Sequence, residues 1–239
     1  MTGEMEFSEF KELTKLVAVA IDGPAGVGKS TSGRLAADRL GFRYVNTGNL
    51  YRALALSVLE AGIDIADETN VVEKARVTKL EADCAQRVFA NGVDVTDKIR
   101  RPDVGAATSV VAQYAGVREK LTSLFRRYAG EQSVVMDGRD IGSVVLPDAA
   151  VKVYLDACID VRARRKVHDE LSRGFRADFL ETKQKIQERD RRDMQRESAK
   201  LVKCDDALLI DTGDKSAEEV AGMIVGLVEE AMGYRAQSS

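Results

Sequence analysis

Residues 22–31 read Asp22-Gly23-Pro24-Ala25-Gly26-Val27-Gly28-Lys29-Ser30-Thr31, DGPAGVGKST. From Gly23 through Gly28, Lys29 and Ser30 the stretch fits G-x-x-x-x-G-K-[ST] in full. Before it, Leu16-Val17-Ala18-Val19-Ala20-Ile21 is a continuous apolar run rich in β-branched residues, as in a strand buried on both faces. After it, Leu35, Ala36 and Leu40 recur at helical spacing, and Gly41 stands where that helix would end. Strand, glycine loop and helix together predict a phosphate cradle. Glycines let successive backbone N–H groups turn toward one point, and the helix N-terminus adds positive potential there. In such a cradle Lys29 would reach the β- and γ-phosphates of a nucleotide, and the Ser30 hydroxyl would hold Mg²⁺.

The rest of the chain must say what uses the phosphate. Its 239 residues suffice for a sizeable core in one domain, or one domain with insertions. With 44% hydrophobic and 31% charged residues and a net charge of −3, the balance argues against a general nucleic-acid or membrane-surface binder. No apolar run is long enough to span a membrane. The first fifteen residues, MTGEMEFSEFKELTK, are acidic and lack the apolar segment of a secretory signal, which predicts a tail on a cytoplasmic protein. Cys84, Cys158 and Cys204 are far apart without metal-ligand spacing and predict buried free thiols in a reducing compartment. His168, the sole histidine, lies among Arg and Lys and is expected at the solvated surface.

Strands and helices alternate, predicting a parallel sheet wrapped by helices. A helix is expected from about Thr47 to Ala61, and strands at Ser133–Met136, Val151–Leu155 and Ala207–Ile210. A final helix runs from about Ser216 to Met232. Residues 70–100 break the alternation. Arg87 to Val95 reads as two short strands around Asn91-Gly92, a hairpin that predicts a small inserted lobe. Pro102 then opens a mainly helical stretch to about Arg127, with Asp103 in its first turn.

Between about Asp160 and Arg196 arginines accumulate among balancing acids. A solvated ion-pair ladder accounts for Arg191 and Arg192. Arg189, Asp193 and Arg196, four and three residues apart, would share one helix face. Two guanidinium forks around a carboxylate suit a ligand with both anionic and hydroxyl groups, although a plain ion-pair ladder fits as well. Arg52 follows Tyr51 in the Thr47 helix, and Arg139 and Asp140 follow a strand end. In open α/β sheets that edge is where ligands sit, so both should face the glycine loop.

Taken together, IDGPAGVGKST (21–31), NTGNLYRALAL (46–56), IRRPDVGAATSVVAQYAGVREKL (99–121), DGRDIGSVVLPDA (137–149), RARR (162–165) and ERDRRDMQR (188–196) resemble bacterial cytidylate kinases, a group of P-loop nucleoside monophosphate kinases. DGRDIG followed by V-x-PDA carries most of the specificity. The resemblance implies an α/β fold with a five-stranded parallel sheet flanked by helices, covering residues 16–232 between an N-terminal tail (1–15) and a C-terminal one (233–239). Within it lie an inserted monophosphate-binding lobe (about 64–130) and a short helical LID (about 158–182). It implies transfer of the γ-phosphoryl group of ATP to CMP or dCMP with Mg²⁺, in pyrimidine nucleotide metabolism, by a monomer without nucleic-acid or membrane partners.

By match of motif, residues 23–31 would bind ATP, with Lys29, Arg139 and Arg189 as the catalytic set. The acceptor phosphate would meet Arg52 and Arg139 near Thr47 and Tyr51. Ser109, Arg118 and Arg196 would read the base, Asp193 would hold the ribose, and Asp140 and Arg189 would complete the site. An arginine among Arg162, Arg164 and Arg165 would close over the phosphates; Arg165 joins the ATP-binding set, while the choice among the three stays open. Ser109 and Arg118 lie nine residues apart, on opposite faces of one straight helix, so they could meet at one base only across a break, for which Gly116 is a candidate. Asn46 stands where the family commonly has Asp, and GKST where many relatives have GKG.

Two other functions are weaker. A nucleotide switch would rest on the glycine loop alone, without an Asn-Lys-x-Asp guanine motif and with the arginines unexplained. A nucleic-acid binder conflicts with the near-neutral balance and the scarcity of aromatics, 5% of the chain.

Overall fold

The computed structural model describes residues 16–195 and 200–233. Five parallel strands form its centre: β1 (Ala18–Asp22), β2 (Arg43–Asn46), β6 (Val134–Asp137), β7 (Val151–Asp156) and β8 (Leu208–Asp211), in the order β2-β6-β1-β7-β8. An antiparallel sheet of β3 (Leu80–Ala82), β4 (Val88–Ala90) and β5 (Val93–Asp94) lies apart from it. The described helices are α1 (Lys29–Leu40), α2 (Thr47–Glu60), α3 (Glu68–Val77), α4 (Pro102–Val111), α5 (Ala115–Glu131), α6 (Ile159–Ser172), α7 (Phe179–Gln195) and α8 (Ala217–Ala231).

The continuous apolar run before the glycine loop follows from cover on both faces. Val19 and Ile21 pack with Ala36 and Ala37 of α1 and Ile224 of α8. Ala20 points the other way, into a core with Leu50 and Leu54 of α2 and Phe125 of α5. That second core continues into the small sheet through Leu80 and Val88. The hairpin at Asn91-Gly92 is β4–β5, with both turn residues at positive φ. Two strands eluded the strand pattern, both short: β2, Arg43-Tyr44-Val45-Asn46, which lies at a sheet edge and carries one aliphatic residue, and the three-residue β3, Leu80-Glu81-Ala82.

Two expectations are corrected. The helical stretch after Pro102 does break, but across residues 112–114 and not at Gly116, which lies in the first turn of α5. A Cβ on Gly116 would stand 2.6 Å from Val72 Cγ1, so its smallness serves packing against α3. The three cysteines are free, but they are not buried: Cys84 and Cys158 are exposed and Cys204 is intermediate. Each lies outside the strand and helix positions that face the two cores. His168 and Arg191 and Arg192 are exposed. No helix among the described residues is long and apolar enough to cross a membrane.

Candidate active site

Three neighbouring strands end together. Asn46 of β2 pairs in register with Asp137 of β6, and Asp137 with Ile21 of β1, next to Asp22. Over these ends opens a cleft of about 960 Å³. The glycine loop forms one bank, with Ala25 through Thr31 lining it. Gly23, at φ 144°, lets the loop leave β1 against β7: a Cβ there would lie 2.1 Å from the Leu155 carbonyl oxygen. Gly23 and Pro24 lend carbonyls to Lys29, whose Nζ donates to them at 2.8 and 2.6 Å. Burial holds the Lys29 ammonium well below its ordinary value, and the Arg139 charge adds to the effect.

Ser30 sits in a closed polar network. Its hydroxyl donates to Asp137 Oδ2 at 3.1 Å and accepts from Asn46 Nδ2 at 2.8 Å. Tyr44 donates to Asp137 Oδ1 at 2.8 Å. Asn46 Oδ1 meanwhile accepts the Asn49 N–H at 3.0 Å and so caps α2. Burial raises the Asp137 carboxyl above its usual range, against the Lys29 charge and its two hydroxyl donors, and raises the Tyr44 phenol with help from Asp137. A hydroxyl and a carboxylate side by side are hard oxygen donors of the kind Mg²⁺ takes. Among the described residues no group of three or more His, Cys, Asp or Glu could cage an ion. The pair therefore fits a metal held largely by ligand phosphates.

Thr47, Tyr51, Arg52, Ser109, Arg118, Arg139, Asp140, Arg189 and Asp193 line the same cleft from the facing side. They come from α2, the α4–α5 pair, the loop after β6, and α7. The break after α4 turns Ser109 and Arg118 to one cavity. Arg118 pairs with Asp140, both buried, and Arg139 Nε donates to Asp193 at 3.0 Å. Arg189 Nε lies 3.9 Å from the same Asp193 carboxylate. Thr47 donates to the Asp137 carbonyl at 2.8 Å, and Arg52 to the Ile99 carbonyl at 3.0 Å. Arg196 lies outside the described residues.

The three candidate LID arginines differ. Arg162 is buried, donating to the Ala157 and Ala25 carbonyls and pairing with Asp190. Arg164 is exposed. Arg165 lines the cleft and donates to the Thr212 carbonyl at 2.6 Å and hydroxyl at 3.0 Å.

Sequence reasoning passed over Asp137, Tyr44 and Arg100, all of which line the cleft. Asp137 had a signal, since it closes a strand and opens the quoted DGRDIG stretch, but it was given no role. Tyr44 and Arg100 had none. One depends on the short edge strand, and the other on a single 3₁₀ turn from Lys98 to Arg100 that lets it reach Asn49 Oδ1 at 3.1 Å.

A family model described as cytidylate kinase matches residues 19–230. A cytidylate kinase of Geobacillus thermodenitrificans (strain NG80-2) is 44% identical over 224 residues, covering 92% of this chain and 100% of the relative. One from Pelotomaculum thermopropionicum is 46% identical over 214 residues, covering 88% and 95%. Among solved structures, an uncharacterized protein from Eubacterium ventriosum ATCC 27560 aligns at TM-score 0.50 and 13% identity over 90% of this chain and 99% of that one, a likeness of fold alone.

Proposed function

We infer the function from one premise: the chain belongs to the cytidylate kinase family. It transfers the γ-phosphoryl group of ATP to CMP or dCMP, giving ADP and CDP or dCDP. The observation that carries this is a single cleft with a complete phosphate loop on one bank and two carboxylate-held arginines, Arg118 and Arg139, on the other.

ATP would lie on residues 23–31, its phosphates near Lys29, with Arg165 at the donor side. Mg²⁺ would be held by the Ser30 hydroxyl beside Asp137, and it supplies charge neutralisation to the phosphates when bound. The acceptor phosphate would meet Arg52 and Arg139 beside Thr47 and Tyr51, and Arg189 would complete the cationic set. Ser109, Arg118 and Arg196 would read the base, with Asp140 fixing the fork of Arg118. Asp193 would accept from the ribose.

The acceptor phosphate is already an anionic nucleophile, so in-line transfer needs no general base. What it needs is neutralisation and alignment of two groups that repel. Arginines oriented beforehand by carboxylates supply that without reorganising during the reaction. Residues of about 64–130 would form the acceptor lobe and about 158–182 a closing LID. One chain carries both halves of the site, so we propose a monomer.

The test is ADP production from ATP and Mg²⁺ with CMP, dCMP, UMP, AMP, GMP or no acceptor. Turnover concentrated on CMP and dCMP is expected. Turnover on a different acceptor alone would overturn the roles of Ser109, Arg118 and Arg196, and ADP release indifferent to acceptor would overturn the kinase.

A further inference from the structure

We propose that Asp22 is a positioning residue for the acceptor site: its carboxylate ties the strand that feeds the glycine loop to the loop that carries Arg139 and Asp140. The proposal rests on the acceptor roles just given. Asp22 is 5% exposed. Its Oδ1 accepts the Ile141 N–H and its Oδ2 the Gly142 N–H, each at 2.8 Å. These amides open the π-helical turn Ile141–Val145, where first-turn N–H groups have no partner within the turn.

The preceding end of the same loop is held by the adjacent residue of β1. Gly138 N–H donates to the Ile21 carbonyl at 2.9 Å. Arg139 and Asp140 are thus a two-residue span clamped at both ends by Ile21 and Asp22. The close approach is tight, since a Cβ on Gly142 would sit 3.4 Å from Asp22 Oδ2 and 3.2 Å from Lys152 Cδ. From this span Arg139 reaches Asp193 and Asp140 reaches Arg118. Loosening the clamp would therefore shift both arginine–carboxylate pairs of the acceptor bank while leaving the glycine loop in place.

Two N–H donors are best met by the ionised carboxylate, whose two oxygens are both full acceptors, whereas protonation turns one of them into a weaker hydroxyl acceptor with a donor of its own. The groups around Asp22 are Lys29 of α1, Asp140 of the loop itself, Lys152 and Tyr154 of β7, and Cys204 of the segment before β8. Burial, abetted by the Asp140 charge, lifts Asp22 to about 6 despite its two amide donors and Lys29, so the clamp titrates within a workable range.

The experiment follows the Ile141 and Gly142 amide signals of ¹⁵N-labelled protein from about pH 8 to pH 5. Alongside, calorimetry measures CMP and a non-hydrolysable ATP analogue on the wild type and on Asp22→Asn. Both amides should move together with a midpoint near 6. At neutral pH the variant should bind CMP roughly tenfold more weakly and the ATP analogue within about threefold, as loss of a charge-assisted pair of hydrogen bonds at one bank implies. CMP affinity of the wild type should fall toward that of the variant as pH drops; taking the difference removes the titration of the CMP phosphate, which ionises near the same pH.

Amides that stay still, or CMP and ATP-analogue affinities that weaken equally, would overturn the proposal alone. The amide titration needs no variant, so it stands even if Asp22→Asn does not fold. A wild type that binds no CMP at any pH would sink the acceptor assignment, and this proposal with it.

Discussion

Arg139 donates through Nε to Asp193 and through Nη1 to the Gly138 carbonyl, so its guanidinium is aimed before any substrate arrives. Arg139→Ala should therefore lower kcat/KM for CMP on the order of a hundred-fold, about 3 kcal/mol of transition-state stabilisation. Steady-state kinetics with CMP varied at saturating ATP would check this, and a near-normal value would refute the role. Asp22 carries a prediction of different sign. Its carboxyl titrates near 3.8 when unfolded and about 6 when folded, so the folded state holds the proton more tightly. No penalty exists below the unfolded value. Stability from this group falls as pH rises from about 4 to 6, by up to about 3 kcal/mol. Urea melts of the wild type and Asp22→Asn should diverge over that interval, in favour of the variant as pH rises. The form that organises the acceptor loop is thus the form that costs stability. At this scale the quoted loop and the four-residue spacing of Arg189 and Asp193 were legible because each side chain's chemistry is local. Asp137 and Asp22 were not, because an acid at a strand end acquires its partners only when neighbouring strands are laid side by side.

Gly41 ends α1 in the left-handed conformation, at φ 68°, with its N–H returned to the Ala37 carbonyl and open space where a Cβ would go. With no clash to pay, Gly41→Ala isolates the conformational cost. It should destabilise by about 1 kcal/mol in urea melts and leave phosphoryl transfer unchanged. The end of α1 was readable from the sequence for the same reason, because glycine after an apolar periodicity is a local signal. The apolar strands and the Asn-Gly hairpin were readable from period and turn chemistry. Elements set by tertiary contact were not. The edge strand β2 exists through its pairing with β6, and the π-helical turn after Asp140 through the Asp22 carboxylate. The break between α4 and α5 falls at Ala112-Gln113-Tyr114, which carry no glycine or proline to announce it.

Across the molecule, the two cores hold most elements firmly, whereas α6 and the start of α7 bury few apolar side chains and leave Leu171 and Leu180 exposed. That imbalance marks residues 158–182 as the part with least to lose by moving. Limited proteolysis should find this segment the most sensitive in the free protein and protected when CMP and an ATP analogue are both present, since exclusion of water guards ATP against hydrolysis. Unchanged cleavage would argue against closure. Net charge could not disclose the site at this scale. A total of −3 averages over a cleft in which Lys29, Arg52, Arg100, Arg118, Arg139 and Arg189 converge from distant parts of the chain.

The exposed thiols have a practical consequence. Cys84 sits in the loop joining β3 to β4, and Cys158 immediately precedes α6. Cys204 is partly covered and its thiol is pushed up by burial, so it supplies less thiolate at neutral pH and reacts more slowly. Maleimide dyes should therefore attach first to Cys84 and Cys158, without any engineered residue. Energy transfer between them would turn the proposed closure of residues 158–182 into an optical signal from a single molecule, read turnover by turnover.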